Sequence, residues 1–381
     1  MSSSIDNKQN KNLKIALVAG EQSGDQLGAS LIKSLKEIFP SAIFIGVGGE
    51  KMKKQGMNSL FNMERISVMG IIEPLLRISE LLSLRKNLKK YLIEQTPDIF
   101  IGIDSPDFNL PVSKYLKKKG ITTIQYVSPS VWAWREGRVK TIEKSVDRVL
   151  TLFPFENDAY KNSSVDVSFV GHPLAHKFSK DLNKEDLRKK LFPGNERKMI
   201  ALLPGSRRSE ISKMGVVLLK TAELIKDYDA SATFFMPLTD INHREIIRGH
   251  ENYNWVNFSE GNSQEILAAS DIGIVTSGTA SLEAALLRTP VVVAYKTSWL
   301  TYCLIKPLLK IQHFALPNLL AGEVVLPELI QSEVTSSNLF EAYKDLERNN
   351  YHKSLEAFKK MHSKLMANGP DTAAKVIAEM L

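Results

Sequence analysis

The chain has 381 residues, too many for one ordinary core and enough for two sheets buried under helices. With 43% hydrophobic and 24% charged residues it has the composition of a folded globular protein, which excludes disorder as its ground state. A single cysteine, Cys303, excludes an internal disulfide and a cysteine-built metal cluster, and a net charge of +8 favours an anionic partner: nucleic acid, nucleotide or an anionic lipid surface.

Residues 1–12 read as a loose polar tail without a signal-peptide pattern, which gives a cytoplasmic expectation. No apolar run approaches the roughly 20 residues that span a bilayer. Residues 13–20 turn into a continuous apolar run, a first parallel strand, followed by a polar turn over Glu21, Gln22, Ser23, Gly24 and Asp25 and an amphipathic helix over 26–39. Gly20, Gly24 and Gly28 lie four apart, which is not the G-x-G-x-x-G spacing of a dinucleotide site. A second strand over 42–49 completes βαβ and sets the class as α/β. Residues 66–84 hold too many apolar side chains for one helical face, among them Ile72, Leu75, Leu76, Ile78, Leu81 and Leu82, and Arg85, Lys86, Lys89 and Lys90 follow. Two readings stay open: a buried helix, or an apolar patch with a basic rim that dips into a headgroup layer.

The strand at 97–104 ends on Asp104, where doubly wound sheets place their ligands. Asp107 and Asn109 fit helix caps better. A strand over 122–127 runs into Ser128, Trp132, Trp134 and Arg135, where the tryptophans either plug a gap or, with Arg135 and Arg138, line a sugar or phosphate site. Further strands lie at 146–154 and 167–172. His172 is the best-placed histidine, and the charged stretch 180–198 reads as the crossing between domains.

The grammar restarts at 199–204 with a strand whose turn, Gly205, Ser206 and Arg207, can cradle an anion. A helix at 214–224, strands at 232–237 and 255–258 and a short helix at 263–267 lead to the stretch that organises this half. Residues 271–275 form a buried strand, Ser277, Gly278 and Thr279 a small-residue turn, and 280–287 a helix. Such a turn offers unpaired N–H groups to a phosphate or diphosphate, with Glu283 one turn on for ribose hydroxyls; the plain alternative is a well-capped helix. Residues 290–295 form a strand, 314–322 an ordered loop in which Asn318 can meet a base or sugar edge, and 337–381 are helical.

Taken together, these blocks resemble the lipid-A-disaccharide synthase family, inverting glycosyltransferases of GT-B type. The resemblance rests on residues 18–25, 68–71, 102–109, 126–135, 203–207, 277–283 and 316–322, so it covers nearly the whole chain after Asn12. It implies two Rossmann-like domains facing a central cleft, 13–175 for the acceptor and membrane and 176–336 for the UDP-sugar, with the helices of 337–381 packing back on an N-terminal domain, possibly a partner's. It implies UDP-2,3-diacylglucosamine as donor and 2,3-diacylglucosamine 1-phosphate (lipid X) as acceptor, at the cytoplasmic face of the inner membrane, in a homodimer. Asp104 would be the base. Gly205, Ser206, Arg207, Ser277, Gly278, Thr279, Glu283 and Asn318 would serve the donor, and Ser23, Gly24, Asp25, Ser128, Trp134 and Arg135 are acceptor candidates. No cofactor or metal is expected, because a helix end with an arginine can take the diphosphate charge. Two rivals remain: a UDP-sugar 2-epimerase on the same scaffold, for which the apolar patch would have no use, and a nucleic-acid binder, against which the basic residues are scattered.

Overall fold

The computed structural model describes residues 12–67, 77–132, 136–178, 183–194, 197–276, 278–296, 313–366 and 369–381. Two compact units emerge: one runs to Pro173 and regains Leu365–Leu381, and the other is Leu174–Lys364. The chain therefore returns to the first unit inside a helix. Residues 337–364, expected to pack with the C-terminus on an N-terminal domain, belong to the second unit.

In the first unit, β1 (Lys14–Ala19), β2 (Ile43–Val47), β3 (Asn58–Ser59), β4 (Ile99–Ile103), β5 (Thr122–Tyr126), β6 (Arg148–Thr151) and β7 (Asp166–Phe169) form a seven-stranded sheet ordered β3-β2-β1-β4-β5-β6-β7. Every pairing is parallel. Ile15, Leu17, Val18, Ile99, Ile101 and Ile103 are all fully buried, which is why these strands read as unbroken apolar runs and not as alternation. The connections carry α1 (Gln22–Ile38), α2 (Glu50–Lys54), α3 (Ile78–Gln95), α4 (Pro106–Lys117) and α5 (Val139–Glu143).

The second unit carries α6 (Pro173–Lys177), α7 (Lys184–Leu191), β8 (Met199–Leu203), α8 (Arg208–Tyr228), β9 (Thr233–Leu238), β10 (Val256–Glu260), α9 (Ser263–Ala269), β11 (Ile272–Thr276), α10 (Thr279–Leu286), β12 (Val291–Tyr295), α11 (Leu316–Ala321), β13 (Glu328–Ile330) and α12 (Ser336–Asp345). Its six strands are ordered β10-β9-β8-β11-β12-β13, again all parallel. A π-helical turn, Leu346–Asn350, joins α12 to α13 (Tyr351–Met366), and α14 (Pro370–Met380) ends the chain. Leu339, Tyr343 and Leu346 sink into the second core, whereas α14 packs on α1, with Ser34 donating to Asp371 at 2.9 Å.

One device recurs at the amino-terminal edge of both sheets. Asp98, Asp147 and Asp271 each stand just before a strand and accept an N–H from the start of its neighbour, that of Lys14, Thr123 and Met199, at 2.8, 2.8 and 2.9 Å. A carboxylate that satisfies an edge N–H fixes the register of a parallel pair, which no hairpin turn can set here.

Two local expectations change. The helix expected from residue 26 starts at Gln22, so Ser23, Gly24 and Asp25 form its first turn and not a polar loop. Gly24 allows that turn to lie against Ala19 and Ile103. The loop expected at 314–322 contains α11, stopped by Gly322 in the left-handed region. Asp25 is buried, and its carboxylate accepts the N–H groups of Gly49, Lys51 and Met52 at 2.8, 3.0 and 3.1 Å, satisfying the open end of α2. Asp25→Ala strands these donors and is expected to destabilise the protein by about 2–4 kcal/mol in denaturant unfolding. A loss below about 0.5 kcal/mol would contradict this role.

Candidate active site

In a doubly wound parallel sheet, the strand pair at which the winding reverses leaves the loops beyond its carboxyl ends splayed apart, and ligands sit there. The first sheet reverses between β1 and β4, which lie side by side with Ala19 opposite Ile103. Gly20 follows one strand and Asp104 the other, so close that a Cβ on Gly20 would collide with the Ser105 hydroxyl. Asp104 and Ser105 both adopt the left-handed region, at φ 51° and 39°, and Val127 on the next loop does so at 77°. Non-glycine residues held there cost about 1–3 kcal/mol each, and such strain gathers where a side chain must be aimed. Burial pushes the Asp104 carboxyl above the ordinary aspartate value, offset in part by the Ser105 N–H. Asp107, at the start of α4, is exposed and pairs with Arg138.

The second sheet reverses between β8 and β11, where Leu203 faces Val275. The turn after β8 holds Gly205 at φ 108°, and the one after β11 holds Gly278 at φ 153°, conformations that a side chain would strain. Gly278 and Thr279 are exposed at the amino end of α10, where the first N–H groups and the helix dipole attract an anion. The side chain of Arg207 is 60% exposed. Glu283 is half-buried on α10 and accepts from Gln264 at 3.1 Å. Burial raises its pKa, and Gln264 and then Lys177 pull it back.

The remaining candidates are placed as follows. Ser23 is exposed on the first turn of α1, and Gly24 is buried beneath it. The carboxylate of Asp25, expected near an acceptor, is taken up by α2. Ser128 is buried and bonded to Pro129 O at 3.0 Å and the Tyr160 hydroxyl at 2.8 Å, which makes it part of the packing. Asn318 departs furthest from expectation. It is 0% exposed, donates to Leu326 O and Glu328, and accepts from the N–H groups of Val325 and Leu326, so every hydrogen-bonding position of the side chain serves the chain itself. It therefore shapes residues 318–328. His172 stacks on Phe153 at 5.2 Å, and burial pushes it down to about 4, so it is neutral at pH 7. Ile78 and Leu82 are outward on α3, while Leu81 turns into the core. Ser277, Trp134, Arg135, Ile72, Leu75 and Leu76 lie outside the described residues. Among the described residues no group of three or more His, Cys, Asp or Glu is placed to hold a metal ion.

Several residues of the two sites escape sequence reading. Glu210 accepts from the N–H groups of Ser206 and Arg207 at 3.0 and 3.2 Å and so braces the turn after β8; its position three residues beyond Arg207 is capping-box spacing. Thr239 donates to Ser206 O at 3.2 Å and contacts His243, with no motif to announce either. Gln264 and Lys177, bonded to each other at 2.5 Å, reach Glu283 from distant sequence.

The model of the family described as "Lipid-A-disaccharide synthetase" matches residues 15–377. The lipid-A-disaccharide synthase of Idiomarina loihiensis is 43% identical, covering 98% of this chain and 100% of its own, and that of Pseudoalteromonas translucida is 42% identical over 98% and 99%. Among solved structures, the kitacinnamycin glycotransferase aligns with a TM-score of 0.66 at 16% identity over 97% and 99% of the two chains. A UDP-GlcNAc 2-epimerase from Neisseria meningitidis aligns at 0.61 and 16% over 96% and 99%. At that identity these two likenesses speak for the fold alone, a GT-B arrangement of two Rossmann-like α/β domains. The match of the family model along almost the entire chain, with relatives above 40% identity end to end, decides the family: this chain belongs to the lipid-A-disaccharide synthetases, and it is a glycosyltransferase.

Proposed function

We propose the following division of labour for the reaction of this family. A 2,3-diacylglucosamine unit passes from UDP to the 6-hydroxyl of 2,3-diacylglucosamine 1-phosphate with inversion, giving a β-1,6 disaccharide and UDP. Asp104 takes the proton of the acceptor hydroxyl as its oxygen attacks the anomeric carbon. The bond from that carbon to the diphosphate oxygen breaks, and its electron pair leaves with UDP. Arg207 and the first N–H groups of α10 stabilise the departing charge, and Glu283 accepts from the ribose.

The observation that carries this reading is the placement of Asp104: a half-buried carboxylate, aimed by strained backbone, beyond the strand pair where its sheet reverses. Its raised pKa makes it a stronger base than an exposed aspartate. The same shift fixes the sign of its effect on stability. A carboxyl whose pKa is raised on folding favours the folded state below its unfolded pKa, and that contribution disappears as pH climbs through the folded value.

Asp104→Asn is therefore expected to lower turnover by about 10³-fold, with UDP affinity unchanged and unfolding stability at pH 7 equal or higher. In the wild type, kcat/KM is expected to fall with acid along a limb centred above 3.8, the ordinary aspartate value. Near-normal turnover in the variant removes Asp104 from the chemistry.

The acyl chains of both substrates call for an approach to lipid. Support comes from α3, where Ile78 and Leu82 are each 53% exposed and Lys86 and Lys90 follow on exposed positions, an apolar tip with a cationic rim suited to the anionic surface of the inner membrane. Among the described residues no helix is long and apolar enough to cross a membrane. Replacing both residues by serine is expected to reduce co-sedimentation with phosphatidylglycerol vesicles several-fold without altering UDP binding; unchanged sedimentation contradicts the docking role.

A further inference from the structure

Beneath Asp104 lies a buried pair of amides that the reaction as described does not use. Asn109 on α4 and Gln125 on β5 are both 0% exposed. Both aim their NH2 groups at one atom, the carbonyl oxygen of Asp104, at 2.9 and 3.0 Å. Asn109 also donates to Val18 O at 3.2 Å and Ile103 O at 3.3 Å, and Gln125 to Val127 O at 3.3 Å. The pair thus ties the ends of β1, β4 and β5 to the two turns that carry positive φ. Room for it comes from Gly102, where a Cβ would stand 2.8 Å from Cβ of Asn109 and 3.1 Å from Oε1 of Gln125. The orientation has a cost, because Oδ1 of Asn109 and Oε1 of Gln125 find no partner among the described residues. Within an amide side chain only the NH2 group can donate to a carbonyl, so this arrangement gives up two acceptors to hold Asp104.

We propose that Asn109 and Gln125 are positioning residues: by clamping the Asp104 carbonyl they keep residues 104–105 in the left-handed region and so aim the carboxylate at the acceptor hydroxyl. The inference rests on Asp104 being the base. A side chain displaced by a fraction of an ångström from its reacting partner loses rate and not affinity.

The test is steady-state kinetics on full-length Gln125→Met, which keeps length and removes the donor, and on Asn109→Ala, on the other side of the same carbonyl. Expected is a fall in kcat of about 10- to 100-fold with KM for both substrates within about twofold, and with UDP affinity unchanged. Either variant that folds decides the matter: kcat within about twofold of the wild type, or a loss carried by KM alone, overturns the inference. If neither folds, the amides serve the fold and the positioning role is likewise overturned. Asp104→Asn assayed alongside separates the two layers. An active Asp104→Asn sinks the base assignment, whereas an inactive one beside an active Gln125→Met sinks only the clamp.

Discussion

The structure depends on one constraint of parallel sheets: their strands need crossovers, and where successive crossovers change direction the sheet opens a gap at its carboxyl edge. This chain meets the constraint twice, between β1 and β4 and between β8 and β11. Each reversal brings together turns that are far apart in sequence, Gly20 with Asp104 in one unit and Gly205 with Gly278 in the other. The amino-terminal edges are closed by contrast. There Asp98, Asp147 and Asp271 give their carboxylates to neighbouring strands and hold the register on which the opposite edge relies.

The same residue type thus does opposite work at the two edges. Asp25 and the three register aspartates accept from backbone N–H groups and stabilise the fold. Asp104 is half-buried, strained and pushed toward its protonated form. Natural sequences tolerate such local conflict chiefly where function needs it. The second unit answers with the opposite polarity: an exposed arginine, a glycine turn and a helix start, all suited to negative charge.

Much of this is legible in the sequence. Apolar runs mark the central strands because both faces are covered, and Asp104 stands out as a charge ending such a run. What the sequence hides is how each polar group is spent. Ser128 and Asn318 look like ligand groups in a list of motifs, yet each is consumed by hydrogen bonds to its own neighbourhood. The early start of α1 is concealed because Ser23, Gly24 and Asp25 have turn-forming composition, and only packing of Gly24 on Ala19 and Ile103 draws them into a helix. Gln125 could have been noticed as the one amide within the strand 122–126, but its partners, Asp104 O and Val127 O, follow from strand order, which composition does not reveal.

In the proposed division of labour the substrates go to two reversal points, the nucleotide to the one at β8 and β11. Hydrogen–deuterium exchange with and without UDP measures this directly. Protection is predicted in 205–210 and 278–283, with 104–109 unchanged; protection by UDP at 104–109 while 205–210 and 278–283 exchange as before would contradict it.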